Sequence, residues 1–147
     1  MFVVDTNVLV YAADESAPEH ARCRGLLEHW RRQSGAWYLT WGIGYEFLRV
    51  VTHPRVMRHP WTLQAGVDFL TALQASPGLG VLMPTERHQP VLSELASEVP
   101  GLTGNIIHDL HTAVLMREHG IRRICTRDTD FHRFAFLEPI DPLTAEP

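Results

Sequence analysis

The chain has 147 residues, of which 45% are hydrophobic and 20% charged, so it can build a packed core and is not a disordered polymer. Thirteen Arg, no Lys and 17 acids leave a net charge of −4, the wrong sign for holding nucleic acid by bulk electrostatics. Two cysteines, Cys23 and Cys125, are too few for a disulfide scaffold or a four-cysteine zinc site, and no apolar run approaches the roughly 20 residues that cross a bilayer. The start, Met1-Phe2-Val3-Val4-Asp5, lacks the basic region of a signal peptide, so the expectation is a cytoplasmic protein with no membrane association.

Phe2-Val3-Val4 reads as a short buried strand that ends at Asp5-Thr6-Asn7 and feeds a helix through Val8, Leu9, Tyr11 and Ala12. Ser16 and Pro18 suit the start of a second helix, with Ala21, Leu26, Leu27 and Trp30 as its buried stripe and Gly35 as its stop. Trp37 to Trp41 is a second strand, leading into a helix that carries Glu46. A Pro-, His- and Arg-rich connection from His53 to Pro60 precedes a helix over 62–75, a strand over 79–82 and a helix over 90–99.

Pro100-Gly101-Leu102-Thr103-Gly104-Asn105 is the strongest punctuation in the chain. After it come a helix over 106–119 closed by Gly120, a strand over 123–126, a turn or short helix over 128–132, and an edge strand within 136–140, where Pro139 is tolerated. The chain is expected to form one domain, 1–147, with a compact core over 1–141 and a loose tail over 142–147. Short strands alternating with helices predict an α/β domain: a central, mainly parallel sheet of four to five strands flanked by helices. In such sheets ligands bind beyond the carboxyl ends of the strands.

The residues at those ends are acidic. Asp5 follows the first strand, Glu46 lies in the helix after the second, Asp109 opens the helix before the fourth, and Asp128 and Asp130 follow the fourth. Carboxylates gathered in one cleft repel each other unless cations sit among them. Hard oxygen donors suit magnesium or manganese, and such a site suits phosphodiester hydrolysis.

In this order, Val3-Val4-Asp5-Thr6-Asn7-Val8-Leu9-Val10-Tyr11-Ala12, Tyr45-Glu46-Phe47-Leu48-Arg49-Val50, Asn105-Ile106-Ile107-His108-Asp109 and Thr126-Arg127-Asp128-Thr129-Asp130-Phe131 resemble the motifs of PIN-domain ribonucleases. Within that group the chain resembles the VapC toxins of toxin–antitoxin pairs. The resemblance spans essentially the whole chain and implies a PIN-like fold with an acidic quartet of Asp5, Glu46, Asp109 and Asp128. It implies that Asp5 and Asp109 bind magnesium or manganese directly, and that Glu46 and Asp128 do so directly or through water. Thr6, Asn7 and Thr126 match supporting polar positions, and Asp130 an additional acid. It further implies an RNA substrate, a VapB-like antitoxin partner and a homodimer. His108 and His111, flanking Asp109, depart from the family pattern, which is richer in small apolar residues there.

Each motif has an ordinary counterpart. Asp5-Thr6-Asn7 is also good helix-cap chemistry, Glu46 can pair with Arg49 on a helix surface, and Asp128 and Asp130 suit a turn. Arg127, His132 and Arg133 are candidate RNA contacts, as is the cluster of His53, Arg55, Arg58 and His59. Trp41, Tyr45 and Trp61 can stack bases, but their spacing favours packing in a core or interface. The histidines lack H-x-x-x-H spacing, and Gly42-Ile43-Gly44 and Gly78-Leu79-Gly80 lack the third glycine of a dinucleotide loop. A haloacid-dehalogenase-like phosphatase needs Asp at position 7 and a catalytic lysine; the chain has Asn7 and no lysine. The remaining alternative is a catalytically inactive RNA-binding or scaffold domain on the same fold.

Overall fold

The computed structural model describes residues 1–144, so part of the expected tail, 145–147, lies outside the described residues. Five strands form one parallel sheet: β1 (Phe2–Val4), β2 (Trp37–Thr40), β3 (Leu79–Leu82), β4 (Arg123–Cys125) and β5 (Glu138–Ile140). Among the described residues, six helices join them: α1 (Thr6–Ala13), α2 (His20–Arg32), α3 (Trp41–Val51), α4 (Leu63–Gln74), α5 (His88–Glu98) and α6 (Ile106–Glu118). A 3₁₀ turn over Thr129–Arg133 links β4 to β5.

The spatial order is β3-β2-β1-β4-β5. The chain winds outward from β1 to β3, then crosses back to lay β4 on the other side of β1. The direction of winding therefore reverses between β1 and β4, and that switch point is where an open α/β sheet leaves a crevice. Covered on both faces, the centre of the sheet is apolar: Val3, Val4 and Ile124 are fully buried. Pro139, which has no N–H to give a ladder, sits on the edge strand β5 opposite Ile124.

Local chemistry sets several of the helix ends. Asp5, Thr40 and Thr62 cap α1, α3 and α4, accepting from the backbone N–H of Thr6, Ile43 and Ala65. Gly120, at φ 68°, supplies the left-handed residue that ends α6.

Two expectations are corrected. Helix α2 starts at His20 rather than near Ser16, because the Ser16 hydroxyl and N–H both donate to Asp14 Oδ1 and form a turn instead. The tail is not loose at its beginning: Pro142 is buried and its carbonyl accepts from Arg22 Nε at 3.1 Å. Among the described residues, no helix is long and apolar enough to cross a membrane.

Candidate active site

The register of the sheet builds the site. Val4 pairs with Cys125 across β1 and β4, so the next residues, Asp5 and Thr126, emerge side by side at the carboxyl edge. Asp5 is 6% exposed and heavily engaged. Its Oδ1 accepts from the Thr6 N–H at 2.7 Å, and its Oδ2 accepts from Asn7 Nδ2 and from Thr126 Oγ1, both at 2.6 Å. Thr126 Oγ1 in turn accepts from Asn7 Nδ2 at 3.0 Å and from the Asp128 N–H at 2.8 Å. Asn7 Oδ1 accepts from the Arg127 N–H at 3.3 Å. Asp5, Asn7 and Thr126 thus lock the ends of two strands together through a network whose members satisfy one another.

The other acids converge on this edge. Helix α3 swings Glu46 over α1, where Thr6 Oγ1 donates to Glu46 Oε2 at 3.2 Å. Asp109 lies in the first turn of α6. Asp128 caps the 3₁₀ turn, accepting from the Asp130 N–H at 2.8 Å. Asp5, Thr6, Asn7, Glu46, Asp109 and Asp128 line one cleft of about 240 Å³, walled also by Val10, Tyr11 and Val50. Asp109, Asp128 and Asp130 each present an oxygen within 4.8 Å of the others, an arrangement that suits a cation. The four acids of the expected quartet therefore meet in one place, and Asp130 stands with two of them.

Electrostatics marks the cleft as an anionic trap. Burial raises the Asp109 carboxyl from its ordinary 3.8 to about 7, with further increments from Asp5, Asp128, Glu46 and Asp130. Burial also raises Asp5 to about 6; the Thr126 and Thr6 hydrogen bonds hold that shift back, while Glu46 and Asp128 add to it. A divalent cation among these oxygens would remove the repulsion, and a set of hard carboxylate donors is what magnesium and manganese bind.

The remaining candidates divide. Arg127 forms an ion pair with Glu19 and lies 3.6 Å from Asp141, so its guanidinium braces the strand end against the chain behind it. His132 and Arg133 are exposed on the 3₁₀ turn and do not line the cleft. His108 lines an adjoining recess with Gly42, Tyr45, Glu46 and Arg49. His111 is half-buried, edge-on to His88, and burial depresses its pKa, with His88 and His108 adding to the effect. A Cβ at Gly42 would lie 3.2 Å from His111 Nδ1, so glycine there lets α3 and α6 approach.

Trp61 packs on Phe47 and Phe69, as its spacing suggests, whereas Trp41 and Tyr45 are 48% and 70% exposed and take no place in the core. Sequence reading missed Val10, Tyr11 and Val50 as cleft walls. The signal available was their position: Val50 stands one helical turn after Glu46 on α3.

The family model for the PIN domain matches residues 2–137. The chain is 37% identical over 146 residues to the VapC ribonuclease Mb2897 of Mycobacterium bovis, covering 99% of this chain and 98% of that one. It is 31% identical over 140 residues to ribonuclease VapC48 of Mycobacterium tuberculosis, covering 95% and 96%. Among solved structures, VapC20 of Mycobacterium tuberculosis, a sarcin-ricin-loop-cleaving toxin, superposes with a TM-score of 0.64 at 17% identity, covering 90% of this chain and 93% of that one. VapBC2 of Rickettsia felis, bound to a promoter DNA fragment, gives 0.66 at 17% identity, covering 95% and 96%. The fold, the convergence of acids at the switch point and these likenesses meet in one conclusion: the chain belongs to the PIN-domain family and, within it, to the VapC group.

Proposed function

We propose that the protein is a magnesium- or manganese-dependent endoribonuclease, the toxin of a toxin–antitoxin pair, acting as a single cytoplasmic PIN domain. The observation that carries this reading is the meeting of Asp5, Glu46, Asp109 and Asp128 in one cleft, where Asp109 is raised to about 7 by burial and neighbouring anions. A protein that merely bound RNA would gain nothing from concentrated negative charge facing phosphate.

Asp5 and Asp109 would hold the cation directly, Glu46 and Asp128 directly or through water, and Asp130 would reinforce Asp128. When bound, such a cation acidifies a water molecule and offsets charge on the phosphoryl oxygens. The chain's own task is to prepare that place. Thr126, Asn7 and the Thr6 N–H fix both oxygens of Asp5, and the Thr6 hydroxyl aims Glu46. The apolar walls Val10 and Val50 reduce screening around the carboxylates. His132 and Arg133 would extend the rim toward RNA phosphates, while Arg127, already paired with Glu19, would hold the strand end beneath them. The VapBC2 complex of similar fold supports a VapB-like antitoxin as the natural inhibitor, and a homodimer is the expected assembly.

The test is to incubate the purified protein with bacterial total RNA in magnesium, in manganese and in excess chelator, and to map new ends by sequencing. Discrete metal-dependent ends, absent with Asp5→Asn, are expected. If antitoxin-free protein produced no ends above that control, the reading would fail and the inactive RNA-binding domain would replace it.

A further inference from the structure

Helix α3 carries Trp41, Tyr45 and Arg49 at i, i+4 and i+8, a single stripe with about 6 Å of rise per step. Tyr45 lies largely in solvent and Trp41 about half so, with ring centroids 6.4 Å apart. The core nearby is closed without them, by Phe47, Trp61 and Phe69. Arg49 is also exposed, and among the described residues its ion pair is a loose one with Glu46 at 3.5 Å. Two aromatics and a cation therefore stand in water beside a candidate catalytic carboxylate.

The recess beside them adjoins the acidic cleft at Glu46. Gly42, Tyr45, Glu46, Arg49 and His108 line about 240 Å³, and Glu46 is a wall of both this recess and the cleft. A polynucleotide with one phosphate among the carboxylates must place its neighbouring nucleotide on one side of Glu46 or the other. On this side it meets an exposed ring and a guanidinium. Aromatic faces stack on any base, and Arg holds the flanking phosphate; together they make a single-strand subsite. Trp41 and Tyr45 also border an apolar groove of about 290 Å³ with Leu48, Leu63, Val67 and Leu70 on their α4 side, and it is the opposite, charged flank with Arg49 and Glu46 that adjoins the cleft.

We propose that Tyr45, supported by Trp41, stacks a nucleobase adjacent to the cleavage position, and that Arg49 binds the phosphate next to that base. The inference rests on the ribonuclease reading of the acidic cleft and adds a positioning site to it. It makes an unpaired nucleotide beside the scissile bond a requirement of the substrate.

The probe is a short single-stranded RNA carrying 2-aminopurine, whose fluorescence falls when the base stacks. It is titrated in magnesium into the full-length Asp109→Asn protein, in which cleavage is expected to be blocked. Adding Tyr45→Ala should abolish the quenching and weaken binding on the order of tenfold. Tyr45→Phe should restore both. Arg49→Gln should reduce the slope of log affinity against log salt by about 0.7. Tyr45→Ala should leave the melting temperature unchanged, since the ring is exposed.

Unaltered quenching and affinity in the Tyr45→Ala protein would overturn the proposal. So would a sedimentation change from dimer to monomer with RNA affinity per protomer unchanged, which would assign this face to a second copy of the chain. Separately, wild-type protein that quenches the probe but cuts no RNA would sink the ribonuclease reading and leave the stacking site standing.

Discussion

Thr126 Oγ1 and Asp5 Oδ2 lie 2.6 Å apart, although 121 positions separate them in sequence. The same hydroxyl receives the Asn7 amide and the Asp128 N–H, so one small side chain couples both strand ends to the turn bearing Asp128 and Asp130. Thr126→Val keeps the shape and removes the hydroxyl. It leaves two donors without their acceptor and Asp5 with one fewer partner. We expect a stability loss of about 2 kcal/mol by urea unfolding and at least a roughly tenfold drop in cleavage rate. Thr126→Ser should behave nearly as wild type; a Val variant with unchanged stability and rate would show the network to be idle.

Asp109 makes the folded protein sensitive to pH in a stated direction. Its carboxyl is at about 7 in the fold against an ordinary 3.8, so the native state binds that proton more tightly than the unfolded chain does. This contribution is fully present below the ordinary carboxylate range and is lost as pH rises toward about 7. In metal-free buffer above neutrality, Asp109→Asn should therefore melt higher than wild type by about 2–4 °C, roughly 1 kcal/mol once solvent screening of this part-exposed group is allowed for. The gap should close as pH falls into the carboxylate range. Magnesium or manganese should raise the wild-type melting temperature and have less effect on the variant. Differential scanning fluorimetry across pH, with and without metal, reads both effects, and a variant less stable than wild type above neutrality contradicts the assignment.

Asp128 and Asp130 share a turn and divide its labour. Asp128→Asn retains an oxygen for the Asp130 N–H, so the turn should survive while a ligand charge is lost. We expect metal affinity and cleavage rate to fall by about 100-fold for Asp128→Asn and about tenfold for Asp130→Asn. Titration calorimetry and initial rates check this. Equal losses at the two positions would make Asp130 a ligand of the same rank, and no loss at Asp130 would remove it from the site.

The rim arginines separate by salt dependence. Arg133 is exposed, whereas Arg127 is already paired with Glu19. Arg133→Ala should lower the salt slope of RNA binding by about one phosphate's worth, and Arg127→Ala should leave it nearly unchanged. The reverse result would show that Arg127 abandons Glu19 when RNA arrives.

Much of the site was legible because its parts are local. An acid directly after an apolar strand, an acid in the second turn of a helix and an acid in the first turn of another can be read residue by residue, as Asp5, Glu46 and Asp109 were. The start of α3 was less legible: Trp41 reads as the end of a strand, whereas Thr40 caps the helix and α3 begins at Trp41. Where local signals competed, the reading slipped: Ser16 suited a helix cap equally well, but bonds back to Asp14. Tyr45 and Trp41 have spacing that favours a core or an interface, and only the packing of α4 beside α3 shows that the core closes on Phe47 and leaves those two rings outside it.

The sequence by itself therefore determined the alternation of strands and helices, most element ends and the identity of the acids, because these depend on interactions between near neighbours. The tertiary structure alone decided the β3-β2-β1-β4-β5 order, the Val4–Cys125 register that sets Thr126 against Asp5, the approach of Asp130 to Asp109, and which aromatic faces meet water. Those outcomes depend on strand pairing and side-chain packing summed over the whole chain, and no window of neighbouring residues contains that sum.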